Sequence, residues 1–226
     1  MDIIEHEFQG HKFKFYKTLT APSLINEIFS DNYKILQSGI QFSPGDIIID
    51  AGANEGMFSI MLLKLFPGTR IIAIEPVHST YAALCANLSL NSIDPYTQVI
   101  PKQVALGIEN TGPTTLNVSK DYSGGSSSFC TFVPSDQYQV TAPTSSLDYI
   151  FEFFQVENCK LLKMDTEGAE YDILYNFHQF SKVEYMVMEV HHNQKLEYQG
   201  RRMDGLVNWV NNQTQLIHVD LCRMAE

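Results

Sequence analysis

Asp46-Ile47-Ile48-Ile49-Asp50-Ala51-Gly52-Ala53-Asn54-Glu55-Gly56 is the stretch on which the reading of this chain turns. Three β-branched residues in a row, after the turn signal Pro44-Gly45, read as a fully buried strand of a parallel sheet. The strand ends in an acid, and small residues follow: Gly52, Ala53 and Gly56, with Asn54 between them. Met57, Phe58, Ile60, Met61, Leu62, Leu63 and Leu65 then carry an apolar face at helical spacing. Strand, glycine-containing turn and helix are the parts of a nucleotide-binding crevice, because glycine lets a ligand approach the backbone closely. Many folds contain such a turn, so its neighbours must decide.

Downstream the pattern alternates between strand and helix. Residues 70–74 form a second apolar strand, preceded by Pro67-Gly68 and ending in Glu75-Pro76. A helix follows over 79–90, where Ala82, Ala83, Ala86 and Leu90 favour helix over strand. Residues 98–104 read as a third strand with an awkward Pro101, running into Ala105-Leu106-Gly107. Residues 108–147 break the rhythm: 114–118 and 138–142 look like short strands, separated by the polar loop 123–128. With too few apolar residues for a second core, this part reads as a small β insertion around 108–145. The rhythm resumes with a helix over 146–154, a strand over 159–164, a helix over 169–177 and a strand over 183–190. A helix near 202–212 and a strand over 216–221 follow. The expected fold class is α/β, a Rossmann-like doubly wound, mostly parallel sheet with helices on both faces.

Upstream, residues 5–16 alternate around Gly10 and suggest a hairpin. Pro22 opens a helix with Leu24, Ile25, Ile28 and Phe29 as its stripe, and residues 33–40 suggest a second helical piece. Residues 1–44 are therefore expected to be a hairpin and helical cap across the mouth of the main domain, 45–226, in one compact unit.

The 226 residues, 44% hydrophobic, are enough for one substantial core. A net charge of −11, with basic residues scattered, argues against a nucleic-acid partner, whose phosphates need clustered Lys and Arg. Cys85, Cys130, Cys159 and Cys222 lie far apart without CxxC spacing, which reads as reduced thiols in a reducing compartment. The acidic N-terminus lacks a signal-peptide pattern, and no apolar run is long enough to span a membrane. A soluble, cytoplasmic protein without membrane contact is expected.

In a doubly wound sheet, ligands bind outside the carboxyl ends of the strands. The polar residues ending the expected strands are Asp50, Glu75, Asp165 with Glu167, and Glu189 with His191. Each has a bland alternative: Asp50 as an acceptor within its own turn, Glu75 as an exposed acid before Pro76, His191 as a satisfied histidine at a strand end. Together they suggest a site. Glu75 at the second strand end suits a pair of ribose hydroxyls. The turn lacks the GxGxxG spacing that admits a pyrophosphate to a helix N-terminus, and Glu55 at the helix start would repel one. A cofactor with a positive centre and an amino-acid end fits better, which points to S-adenosyl-L-methionine.

The sequence resembles the FkbM-type family of S-adenosylmethionine-dependent methyltransferases, within the class I methyltransferase fold, over roughly residues 31–221. The resemblance rests on the Asp50–Gly56 turn, on Ile74-Glu75-Pro76 and on Leu84-Cys85-Ala86-Asn87-Leu88-Ser89-Leu90-Asn91. It continues through Val104-Ala105-Leu106-Gly107, Ser146-Leu147-Asp148, the run Leu162-Lys163-Met164-Asp165-Thr166-Glu167-Gly168-Ala169-Glu170, and Glu189-Val190-His191. It implies methyl transfer, commonly to an oxygen of a sugar, polyketide or other small metabolite. By position, Asp50, Gly52, Asn54 and Gly56 would line the methionine end of the cofactor, and Glu75 would hold the ribose. Val104 and Ala105 would flank the adenine, and Asp165 would stand near the sulfonium and the acceptor.

For a hydroxyl acceptor a general base helps. His191 is the first candidate, with Asp165 beside it and Glu189 on the same side of its strand; His192 should face away in a structural role. Asp165, Glu167 and His191 could instead gather a divalent cation, but nothing in the spacing demands one and no metal is expected. Lys163 could pair with one of these acids, either functionally or as a buried ion pair. Tyr33 and the loop 123–128 are candidates for closing over the ligand, against core packing and a solvated connector. The alternatives are a nicotinamide-dependent oxidoreductase, which the glycine spacing disfavours, and a non-catalytic interaction module. The seventh, antiparallel strand usual in this fold has no obvious sequence after 216–221, so the sheet is shorter or the chain truncated. That leaves an edge on which a homodimer could form.

Overall fold

The computed structural model describes residues 2–109, 112–119 and 137–223, with the side chain of Arg223 left aside. The loop 123–128 and Cys130 lie outside the described residues. The chain opens with an antiparallel hairpin, β1 (Ile3–Phe8) and β2 (His11–Tyr16). Its two-residue turn, Gln9-Gly10, has φ of 47° and 77°, the left-handed pair that such a tight hairpin requires. Helix α1 (Ala21–Phe29) follows, with Pro22 in its first turn and Leu24, Ile25, Ile28 and Phe29 buried. The helical piece expected over 33–40 is not formed. Turns run through it, and Asp31 and Lys34 at φ of 58° and 56° interrupt any right-handed helix.

The βα alternation then appears as expected: β3 (Ile47–Ala51), α2 (Met57–Leu65), β4 (Arg70–Ile74), α3 (His78–Leu90) and β5 (Val99–Lys102). The expected third strand breaks after Lys102. A two-residue β6 (Ala105–Leu106) leaves the sheet to pair with β9 (Thr144–Ser145). Between them β7 (Thr114–Ser119) and β8 (Gln137–Ala142) form the antiparallel insertion. Then come α4 (Leu147–Phe153), β10 (Cys159–Met164), α5 (Glu170–Tyr175), β11 (Val183–His192), α6 (Gln194–Tyr198), α7 (Met203–Asn211) and β12 (Gln215–Arg223). Among these elements, α6 and the two-residue β9 had no counterpart in the sequence reading.

The six-stranded sheet has the order β12-β11-β10-β3-β4-β5, and every pairing in it is parallel. Pro101 is tolerated because β5 is an edge strand, where one missing N–H breaks no ladder. At the other edge, β12 pairs only with β11, and no antiparallel strand extends the sheet among the described residues. Alternate strand residues feed two cores, as a sheet covered on both faces requires. Ile48, Ile71, Leu161 and Val187 pack with α1, α2, α3 and the hairpin; Ile49, Ile72, Leu162 and Met186 pack with α4, α5 and α7. Phe13 and Phe15 of the hairpin are fully buried in the first of these cores. Among the free cysteines, Cys159 is buried while Cys85 and Cys222 are only half-buried. No helix among the described residues is long and apolar enough to cross a membrane.

From β3 the chain winds outward through β4 to β5, then returns to the other side of β3 for β10, β11 and β12. The strand order therefore reverses between β3 and β10, and a crevice opens outside their carboxyl ends.

Candidate active site

The turn after β3 is held closed by its own backbone. The N–H groups of Gly52 and Ala53 both donate to Ile74 O, at 3.0 and 2.9 Å, and Gly56 N–H donates to Ala53 O. Gly52 has φ +80°, and a Cβ placed there would lie 1.7 Å from Asp165 O. Only glycine lets the turn after β3 and the turn after β10 approach so closely. Glu75, at the end of β4, accepts from Asn54 N–H at 3.1 Å and from Val77 N–H at 2.8 Å. Burial pushes its carboxyl up to about 7, against the pull of those two backbone donors.

One cleft at the strand reversal is lined by Gly52, Asn54, Glu75, Val104, Ala105 and Asp165. Asp50 and Gly56 do not reach it. Asp50 is fully buried beneath the turn, accepting from Ser59 Oγ at 2.7 Å and pairing with Lys163 Nζ at 3.3 Å. Gly56, at φ +83°, backs onto α3, where a Cβ would sit 2.4 Å from Leu84 Cδ1. Both shape the turn rather than line the cleft. Glu55 also faces away from it, accepting from the hydroxyls of Thr18 and Thr20 at 2.8 Å each.

Lys163 is the cation beneath this floor. It donates to Gly52 O at 2.7 Å and sits 3.3 Å from both Asp50 and Asp165. Burial alone would lower its pKa, but the two carboxylates more than offset that and keep it charged. Burial likewise works against the Asp165 anion, and Lys163 and His191 overcome it, holding Asp165 below its usual range. Tyr33 donates to Asp165 Oδ2 at 2.8 Å, and burial raises its hydroxyl so that it stays a neutral donor. Tyr33 is therefore a buried tether from the N-terminal segment to the site.

His191 does not stand as a free base. Its Nδ1 lies 3.2 Å from Glu170 Oε1, and its Nε2 lies 3.4 Å from Glu167 Oε2 and 3.5 Å from Glu189 Oε1. Burial would lower its pKa, but Glu170 above all, with Glu189 and Glu167, raises it well above the ordinary value. At neutral pH the imidazole is thus a cation among carboxylates, with no lone pair to take a proton. Glu167 is pushed up to about 8, first by burial and then by Asp165, Glu170 and Glu189, although His191 pulls the other way. Glu189 is engaged by Cys222 Sγ at 2.6 Å. His192 turns away, as expected, to Tyr171 OH at 3.2 Å.

The sequence reading missed Glu27. It projects from α1 into a hollow of about 300 Å³ beside the cleft, shared with Asn32, Asn54, Asp165, Glu167 and Glu189. Burial, then the charges of Asp165 and Glu189, push its carboxyl up to about 7. The available signal was an acid among the apolar residues Leu24, Ile25 and Ile28 of one helix. A second hollow, about 700 Å³, lies between α7 and β12, and of the residues singled out in the sequence only His192 touches it.

The domain described as the Methyltransferase FkbM domain matches residues 50–214. The chain belongs to this family. The 31-O-demethyl-FK506 methyltransferase FkbM of Streptomyces tacrolimicus is 42% identical over 67 residues, covering 30% of this chain and 25% of that protein. Methyltransferase 1 of Beauveria bassiana is 28% identical over 150 residues, 59% of each chain. Methyltransferase sdnD of Sordaria araneosa is 28% identical over 188 residues, 69% of this chain and 68% of that one. The chain thus spans a quarter and 59% of the lengths of the first two relatives.

The FkbM match begins at Asp50 and takes in every strand-end residue discussed above. Glu27 and Tyr33 lie upstream of it. The FkbM part of the chain therefore supplies the cleft and its acids, and the segment before it supplies the far wall.

Proposed function

We propose that this FkbM-family protein is an S-adenosyl-L-methionine-dependent methyltransferase acting on a hydroxyl of a small metabolite. The observation that carries the reading is the single cleft lined by Gly52, Asn54, Glu75, Val104, Ala105 and Asp165. The state of the turn supports the cofactor class. Its Gly52, Ala53, Asn54 and Gly56 N–H groups all have partners within the protein, and a buried carboxylate stands beside them. A pyrophosphate would find neither free donors nor a favourable field there. A neutral ribose and a cationic sulfur fit.

When bound, S-adenosyl-L-methionine supplies an activated methyl group, so the protein's task is chiefly alignment. Glu75 holds the ribose hydroxyls, and Val104 and Ala105 flank the adenine. Asp165, fixed by Lys163 and Tyr33, presents negative charge towards the sulfonium. The acceptor occupies the hollow beneath α1, and Glu27 receives its hydroxyl proton; a carboxyl near 7 suits that task at neutral pH. His191, in its carboxylate cage, positions Glu167 and Glu189.

The test is transfer from methyl-labelled S-adenosyl-L-methionine into a metabolite extract, with wild type and Glu27→Gln compared across pH 6–9. The wild type is expected to label a small product with a rate that rises through about pH 7. In Glu27→Gln the rate should fall by roughly 10²-fold or more and lose that rise. An unlabelled extract would count against the activity, and an unchanged pH profile against Glu27.

A further inference from the structure

We propose that Asp165, Glu167 and His191 form a divalent-cation site at the acceptor side of the cleft, for an oxygen-preferring ion such as Mg²⁺ or Mn²⁺. One ligand atom from each lies within 4.8 Å of the others. In an octahedral site with bonds of about 2.1 Å, neighbouring ligands are about 3.0 Å apart and opposite ones about 4.2 Å. Of the three, His191 Nε2 and Glu167 Oε2 are already 3.4 Å apart, close to the spacing of neighbouring ligands. Two carboxylate oxygens and one imidazole, with room for water, form a donor set for a hard six-coordinate cation rather than a thiolate-bound one.

The arrangement around His191 is that of a ligating histidine. The residue is 5% exposed. Its Nδ1 faces Glu170, whose own carboxylate accepts from Thr166 N–H at 2.9 Å and Gly168 N–H at 3.0 Å. A buried carboxylate on one ring nitrogen fixes the tautomer and aims the other nitrogen at the metal. Here that other nitrogen, Nε2, faces Glu167.

Two further observations point the same way. Glu167 has φ of 54°, a left-handed conformation rarely held by a glutamate, within the turn that carries both carboxylate ligands. The hydrogen bond from Tyr33 and the contact with Lys163 both fall on Asp165 Oδ2; among the described residues none falls on Oδ1. The local charge is also unbalanced. Asp50, Asp165, Glu167, Glu170 and Glu189 gather around Lys163 and His191. As the ion binds, the Nε2 proton and any proton on Glu167 pass to solvent.

The site deepens the methyltransferase reading and rests on it for its purpose: a hydroxyl on the cation loses its proton more readily. Binding itself does not depend on that reading. The experiment is titration of the full chain with Mn²⁺, followed by paramagnetic resonance of the free ion and by calorimetry, without S-adenosyl-L-methionine. One equivalent should bind, with affinity falling at least tenfold in Asp165→Asn, Glu167→Gln and His191→Gln and unchanged in Cys222→Ser. Circular dichroism melting identifies any variant that fails to fold; Glu167→Gln, nearly isosteric, is the decisive one. No Mn²⁺ binding by wild type, or equal binding by folded Glu167→Gln, would overturn the site. Loss in Cys222→Ser alone would overturn the ligand set, in favour of the neighbouring Glu189, His191 and Cys222 group. S-adenosyl-L-methionine binding by chelator-treated protein, measured separately, reports on the methyltransferase reading alone.

Discussion

Glu75 shows how one side chain serves both the turn and the cleft. Its two oxygens accept from Asn54 and Val77 N–H groups, yet burial still raises it from 4.5 to about 7. Between those two values the native state holds a proton that the unfolded chain has released. Stability contributed by this group is therefore present below 4.5, falls as pH rises towards 7, and is level above that. The loss amounts to roughly 3 kcal/mol. Urea unfolding of wild type and Glu75→Gln at pH 4.5, 6 and 8 should show the wild type losing this much relative to the variant. Parallel pH dependences would contradict the assignment. The Glu75 position was readable because an acid ending a buried strand is visible in one dimension. Glu27 and Glu170 were not, since their importance comes from partners far along the chain. His191 was found as a site residue, but its protonation depends above all on Glu170, with Glu167, in the stretch after β10, about twenty residues away in the chain.

At the scale of elements, the N-terminal segment is fastened to the sheet by polar contacts at several points. Thr18 and Thr20 donate to Glu55, and Asn87 of α3 accepts from Tyr16 N–H at 2.9 Å while donating to Glu55 O at 2.9 Å. Asn91, one turn on, donates to Lys14 O and accepts from Lys14 N–H. The Asn87 and Asn91 pair that marked the family resemblance thus acts at the joint between α3 and β2. Glu55, read from sequence as a barrier to pyrophosphate, is an anchor for the cap. Replacing Thr18 and Thr20 together by Val leaves a buried carboxylate short of two donors. It should cost about 1–3 kcal/mol, measured by urea unfolding, and loosen α1 over the hollow. Protease cleavage near residues 17–20 should rise in parallel; an unchanged midpoint would show that the hydroxyls are dispensable. The strands were readable because apolar runs between turn signals have few alternatives. The failure at 33–40 came from left-handed Lys34 within it and Asp31 just before it, and α6 was too short to show a period.

On the scale of the whole molecule, the reversal of strand order between β3 and β10 puts the decisive residues in one place. Gly52 follows β3, Asp165 follows β10 and Glu75 follows β4, all lining one cleft, and His191 near the end of β11 joins them through Glu167, 3.4 Å away. Alternating strands and helices were enough to anticipate that convergence. The all-parallel outer strand β12 and the wall supplied by α1 depend on packing that periodicity does not encode. The central claim is that the cleft binds S-adenosyl-L-methionine. Calorimetric titration of the full chain with S-adenosyl-L-methionine tests it most directly, with NAD and Glu75→Ala as controls. A micromolar, one-to-one complex that weakens at least tenfold in Glu75→Ala, with no heat from NAD, is the expected result. Binding of NAD with no heat from S-adenosyl-L-methionine would contradict it.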